Sequence, residues 1–417
     1  MLRRLLSIES LFVLYLFLVC SGINNFLSNK LAIHALLSPL ILAMSFYFIY
    51  IGYRKGLRHL FISRYVKGFY WAFFSFFVIG GLIGFTTTGF GTVIHAFRFY
   101  LPSLLILWSG IAGFGYLYLK NGFRSILLSL RAALALNVLV ILFAYFTGSN
   151  YFDVSKSSTA GFLLNPNHAG FSLNILLSIE IYLYSRFSNR YAIFIIVAIL
   201  LSILIGFSRS ALGAAFVIIM LTAFYNFRKI QKANALQKVF GVTFLAAFVW
   251  VFSADLISGI IEEKAEKVIQ VERLIQGEID ESTTGVRNIL FKEGFNRIME
   301  HPIFGSGLHS FSVFDEIGSG VHNQYLLIWG EAGIIGILTF LIYYIFLGHH
   351  TLNLPRDEKV LIMSIVTAIM VYSFTNHTMY ANKNYLMITA FIVILFEIRD
   401  SLLVKNIRSQ QEYSLTE

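Results

Sequence analysis

One histidine and three arginines stand out in an otherwise apolar chain. His322 precedes Asn323 in "GVHNQYLLIWGEAGIIG", residues 320–336. Asn323 is a residue type that caps helices, so His322 would stand at the positive end of the helix that follows. That end disfavours an imidazolium and leaves the ring available as a neutral base. A lone histidine at a membrane boundary is also a common structural feature, and the residues alone leave both roles open. Arg209, in "IGFSRSALGA", joins two apolar runs with almost no loop. A guanidinium there either snorkels along its own stem or is held to receive an anion. Arg98, in "VIHAFRFYLP", has the same two readings, and Arg287, in "GVRNILFKEGFNRIME", is an ordinary solvated helix charge unless its company raises it. Together these are a base and a set of cations able to hold an anion beside it.

Two polar stretches accompany them. "GFLLNPNHAG", 161–170, places Asn165, Pro166, Asn167 and His168 where an apolar run begins, which is also ordinary chemistry for starting a helix. "HPIFGSGLHSF", 301–311, is a proline and glycine turn of the kind that ends a helix and lets backbone approach another group. Within the opening run, Gly330, Gly333 and Gly336 recur at a spacing that puts them on nearly one helix face, where small residues let a neighbouring helix come close.

The elements that must position these groups are membrane helices. Hydrophobic residues make up 57% of the 417 and charged ones only 13%, a balance that excludes an ordinary soluble domain. The single cysteine, Cys20, excludes a disulfide framework or a cysteine metal site. The start reads as a retained first helix rather than a cleaved leader. Windows of about 20 apolar residues predict spans near 8–24, 31–51, 69–86, 99–118, 126–147, 167–184, 191–207, 210–225, 239–257, 323–346, 359–375 and 384–398. A cytoplasmic N-terminus puts most of the 32 basic residues on inward segments, among them Arg54, Arg64, Lys120, Arg186, Arg228 and Arg399. Both termini are therefore expected inside. The net charge of +10 calls for no nucleic acid, because an anionic inner leaflet accounts for it.

The expected fold class is thus an all-α polytopic membrane protein of about 12 transmembrane helices with one large outer helical loop. Helices one to nine would occupy 1–257, the loop 258–322, helices ten to twelve 323–398, and a cytoplasmic tail 399–417. In the loop, Ile261, Ala265, Val268 and Ile275 mark an amphipathic helix, and a second helix is expected after Ser282 or Thr283. No repeat relates the two halves, which counts against a transporter.

His322-Asn323, nine residues, then Gly333-Ile-Ile-Gly336 resembles the H-[NSQ]-x9-G-x-x-G pattern of bacterial O-antigen ligases. These share a superfamily with O-antigen polymerases and O-oligosaccharyltransferases. The resemblance extends over roughly 160–345 and takes in the "NPN" run, the Ser208-Arg209-Ser210 turn, Arg287 and the "HPIFGSG" turn. Spans one to five carry nothing comparable beyond Arg98. It implies a GT-C-like fold and a periplasmic site in the bacterial inner membrane. There, polysaccharide would pass from undecaprenyl diphosphate to a hydroxyl of lipid A–core. His322 would orient or deprotonate that hydroxyl for inverting displacement. Arg209, Arg287 and Arg98 would hold the diphosphate, and Asn323, Asn167, Gly333 and Gly336 would position the rest. Guanidinium forks match phosphate oxygens, and the membrane part lacks a dense outer carboxylate cluster, so no metal or cofactor is expected. The expected partners are the lipid-linked glycan, lipid A–core and membrane lipids. An O-antigen polymerase is the nearest alternative, followed by a protein O-oligosaccharyltransferase and a lipid-linked glycan transporter. One dominant outer loop and a short tail favour the ligase.

Overall fold

A computed structural model describes residues 7–24, 26–27, 34–147, 153–155, 158–163, 165–187, 191–206, 208–231, 283–311 and 321–414. Lipid offers no partner to a backbone N–H or C=O, so each apolar run closes its hydrogen bonds internally as a helix. In chain order these are α1 (Ile8–Cys20), α2 (His34–Arg54), α3 (Arg64–Thr87), α4 (Phe90–Asn121), α5 (Phe123–Thr147) and α6 (Pro166–Phe187). They continue with α7 (Tyr191–Ile205), α8 (Arg209–Gln231), α9 (Thr283–Glu300), α10 (Gln324–Thr351), α11 (Arg356–Thr375) and α12 (Lys383–Ser414). A minimal antiparallel ladder, β1 (Asp153–Ser155) with β2 (Ser158–Thr159), precedes α6. Among the described residues, 6 helices are long and apolar enough to cross a membrane, and Ile8–Cys20, Tyr191–Ile205 and Ser210–Tyr225 are shorter apolar helices. The protein is an all-α polytopic membrane protein.

Every predicted span within the described residues has its helix. The ninth, near 239–257, and the amphipathic helix around 261–275 lie outside them. Two ends differ from expectation. Helix α4 begins at Phe90 rather than near 99, so Arg98 lies inside it. Helix α12 runs unbroken past 398, so the expected tail continues a helix rather than leaving one.

Lipid tails are as apolar as leucine, so burying apolar surface does little to join such helices; close packing does it. Helix α6 lies among α5, α7, α8 and α11, while α3 packs along α10. At Gly113 of α4, an added Cβ would sit 1.9 Å from the Phe12 ring, and at Gly170 of α6 it would sit 2.3 Å from Ala211. Ion pairs close one end of the bundle. Arg64 meets Asp400 at 2.6 Å, Arg399 meets Glu358, and Arg131 meets the fully buried Glu180.

At the opposite end, residues 301–311 dip between α3 and α10. Helix α10 is broken at Gly333, where φ is 67° and ψ −165°. A break inside a membrane helix is tolerated only where other protein groups satisfy the released backbone. Here Ile334 N donates to Pro302 O at 3.0 Å, and Ser306 N and Gly307 N donate to Gly330 O and Glu331 O at 2.7 and 3.1 Å. From the other side, Leu308 N donates to Gly80 O at 2.8 Å, and Thr87 Oγ1 donates to Ser306 O at 2.7 Å. The buried Glu331 side chain accepts from Phe311 N at 3.2 Å.

This arrangement corrects the expected role of the threefold glycines. Two of the three meet a loop rather than a neighbouring helix. Gly330 leaves room for the Phe311 ring, 2.3 Å from an added Cβ, and Gly333 receives the Ile303 carbonyl, 2.0 Å from one. At Gly336 the atoms nearest to an added Cβ belong to Ala332 and Ile328 of the same helix. Gly330 and Gly333 accept a loop.

Candidate functional site

The heads of α6, α8 and α10 and the end of α11 meet at the end of the bundle opposite the ion pairs. Helix α6 starts by a local rule: Asn165 Oδ1 accepts from Asn167 N at 2.9 Å and His168 N at 3.3 Å, with Pro166 as first residue. Ser208 does the same for α8, its Oγ accepting from Ala211 N at 3.3 Å. Asn323 caps α10 by accepting from Tyr325 N and Leu326 N at 2.9 and 3.1 Å. Asparagine and serine compete for backbone donors, which is why these residues end the preceding loops here.

Side chains then tie the heads together. Asn167 Oδ1 accepts from Ser208 Oγ at 3.0 Å and Ser210 Oγ at 3.4 Å, while its Nδ2 donates to Thr375 O at 3.4 Å. Arg209 lies between those serines as the first residue of α8, so its backbone is pinned against the head of α6. Asn376 Nδ2 lies 2.7 Å from His168 Nε2. The Asn376 Oδ1 already accepts from Thr378 N at 2.8 Å and Thr378 Oγ1 at 2.6 Å, which fixes the amide orientation. An amide nitrogen only donates, so His168 Nε2 is the acceptor and His168 carries its proton on Nδ1. Beneath this pair, Tyr372 stacks on Phe171 with ring centroids 4.6 Å apart.

His322 is exposed at the head of α10, and the His377 ring lies beside it, centroids 5.2 Å apart at 60°. Burial first, then the neighbouring His322 and His168, pushes His377 down to about 4, so it is neutral at any physiological pH. Its Nδ1 is buried with no hydrogen-bond partner among the described residues. Gln324 is also buried; its Oε1 accepts from Met379 N at 3.1 Å, and its Nε2 has no partner among the described residues.

Of the residues singled out in the sequence, His322, Asn323 and Asn167 belong to this network. Arg209 opens α8 at this end of the bundle. Arg287 lies in α9, whose Leu290 and Ile298 are buried and whose Gly294 approaches Val321. The exposed Arg98 is placed elsewhere. It lies one turn beyond His95, whose ring is 5.5 Å from His309, and no hydrogen bond or ion pair among the described residues links it to the His322 network. His309 adopts a φ of 72°, an uncommon conformation for a side-chain-bearing residue, and burial beside His95 lowers its basicity. Sequence reading missed Asn376 and His377. The signal was present as a polar Asn-His-Thr run between two apolar spans.

The chemistry open to this arrangement follows from charge. Three helix N-termini converge, and their dipoles favour an anion. An accessible imidazole stands beside them. Among the described residues, no group of three or more His, Cys, Asp or Glu is placed to hold a metal ion. A cleft lined by Arg124, Leu128, Leu183 and Phe187 lies at the other end of α5 and α6, away from these groups.

These features define a multi-pass membrane protein with a polar, anion-favouring site at one end of its bundle. Residues 192–341 match the family described as O-Antigen ligase, a stretch that takes in α8, α9, the 301–311 turn and His322. The match covers 150 of the 417 residues, and over that stretch the chain is similar to the O-antigen ligase family. No curated protein matches the chain. Asn167, His168, Asn376 and His377 all lie outside the matched stretch.

Proposed function

We propose that the protein is an O-antigen ligase, transferring polysaccharide from undecaprenyl diphosphate to a hydroxyl of lipid A–core. The observation that carries this reading is the exposed imidazole of His322 at the head of α10, beside the His377 ring and within the family match. In this reading both termini face the cytoplasm of a bacterium with an inner membrane, and the His322 end faces the periplasm. The basic residues at the Arg64–Asp400 end support that orientation.

The reaction is a direct displacement. His322 takes the proton of the acceptor hydroxyl as its oxygen bonds to the anomeric carbon. The bond from that carbon to phosphate breaks on the opposite face, its electron pair leaves with the diphosphate, and the configuration inverts. Negative charge grows on the leaving group and must be met by fixed positive groups. The converging helix heads supply part of this. Arg209 at the head of α8 and Arg287 on α9 supply the rest as planar forks for phosphate oxygens, while Arg98, placed beside His95, drops out of this role.

Purified protein given lipid-linked polysaccharide and lipid A–core tests the cation account. Transfer is expected to survive EDTA and to fall roughly 10²-fold in Arg209→Lys, because a point charge does not reproduce the fork. Loss of transfer in EDTA that magnesium restores, or a near-normal Arg209→Lys rate, would overturn it.

A further inference from the structure

A base that works through one ring nitrogen needs its other nitrogen engaged, since that second bond fixes tautomer and ring orientation. Carboxylates usually fill this place. Beside His322 the structure puts an imidazole. The His377 ring approaches it at 5.2 Å between centroids, within reach of a single N–H···N hydrogen bond. Residues on both sides hold the ring there: Asn376 is bound to His168 and Thr378, and Met379 N to Gln324. One His377 nitrogen, Nδ1, is buried and unmatched among the described residues, and buried polar atoms are rarely left so. A turn of the ring about Cβ–Cγ is the motion that can bring it to His322.

We propose that His377 is the positioning residue of this site: its neutral imidazole accepts the second ring N–H of His322. That bond holds His322 in the tautomer that presents a bare nitrogen to the acceptor hydroxyl. It also stabilises the imidazolium formed when the hydroxyl proton arrives, and the proton stays on His322. The titratable groups acting on His377 among the described residues are His322, from the head of α10, and His168, from α6. Both are imidazoles, so each disfavours a charge on His377 and keeps it an acceptor.

This role rests on His322 being the base. Its test is the pH profile of transfer by the purified full-length protein with lipid-linked polysaccharide and lipid A–core. His377→Ala and His377→Phe remove the acceptor, and the phenyl ring keeps most of the packing. Both are expected to lower the plateau rate by about 10–100-fold. Both are also expected to move the acidic limb to lower pH, because an imidazolium that loses its acceptor is a stronger acid and His322 a weaker base. His377→Gln offers a neutral carbonyl acceptor and is expected to restore most of the rate and the limb. Should His377→Ala misfold, the Phe and Gln variants decide the matter. A fall in rate with an unmoved limb and no advantage of Gln over Phe means a structural role and overturns the proposal, as does an unchanged His377→Phe. An active His322→Ala would remove the underlying reading. An inactive His322→Ala beside unchanged His377 variants would remove this proposal alone.

Discussion

His322→Ala is expected to abolish transfer while leaving the protein folded and inserted. The histidine is exposed, and the helix it precedes is capped by Asn323, whose side chain accepts from Tyr325 N and Leu326 N whatever stands at 322. Stability should therefore change little. Removing a positioned general base costs about 10²–10⁴-fold in rate, roughly 3–5 kcal/mol of barrier. The readout is the rate of polymer transfer to lipid A–core, normalised to folded protein and measured beside the thermal midpoint in detergent. Retained transfer in this variant would take His322 out of the chemistry, and a collapsed midpoint would make it a structural residue.

The second large effect is expected at Gly333, and it should appear in stability. Its φ of 67° with ψ −165° lies in a region open essentially to glycine alone. An added Cβ would also sit 2.0 Å from the Ile303 carbonyl oxygen. Backbone strain of this kind costs about 1–3 kcal/mol, and the steric conflict adds to it. Gly333→Ala is therefore expected to expel residues 301–311 from the gap between α3 and α10, releasing the backbone groups now paired with Pro302, Ser306 and Gly307. The thermal midpoint should fall clearly and the 301–311 turn become open to protease. Gly336 keeps a helical backbone, and the nearest atoms to an added Cβ are Ala332 and Ile328 of the same helix, so Gly336→Ala should be milder. Equal, small effects at the two positions would contradict the loop-receiving role of Gly333.

The spans were legible because apolar length is a direct physical requirement of the hydrocarbon layer. The heads of α6 and α10 were legible too, since Asn165 and Asn323 cap by rules local to a few residues. Gly333 was misread for a specific reason. A spacing of three describes a face on an intact helix, and nothing within the run shows that a distant turn opens that helix. The break is set by tertiary contact with residues some thirty positions earlier. His377 was missed on similar grounds. Between two apolar spans a short polar run reads as a turn, and only closure of the bundle sets it against His322 and His168. Arg98 was recognised as an unusual charge, yet the register of α4 puts it with His95 rather than with the helix heads.

What the protein transfers, and to what, is most directly read from the lipopolysaccharide of a strain lacking it. The account predicts bare lipid A–core, with full-length polymer accumulating on undecaprenyl diphosphate, and reversal of both by the wild-type protein but not by His322→Ala. Lipid A–core carrying a single repeat unit would contradict it, because the missing step would then be polymerisation.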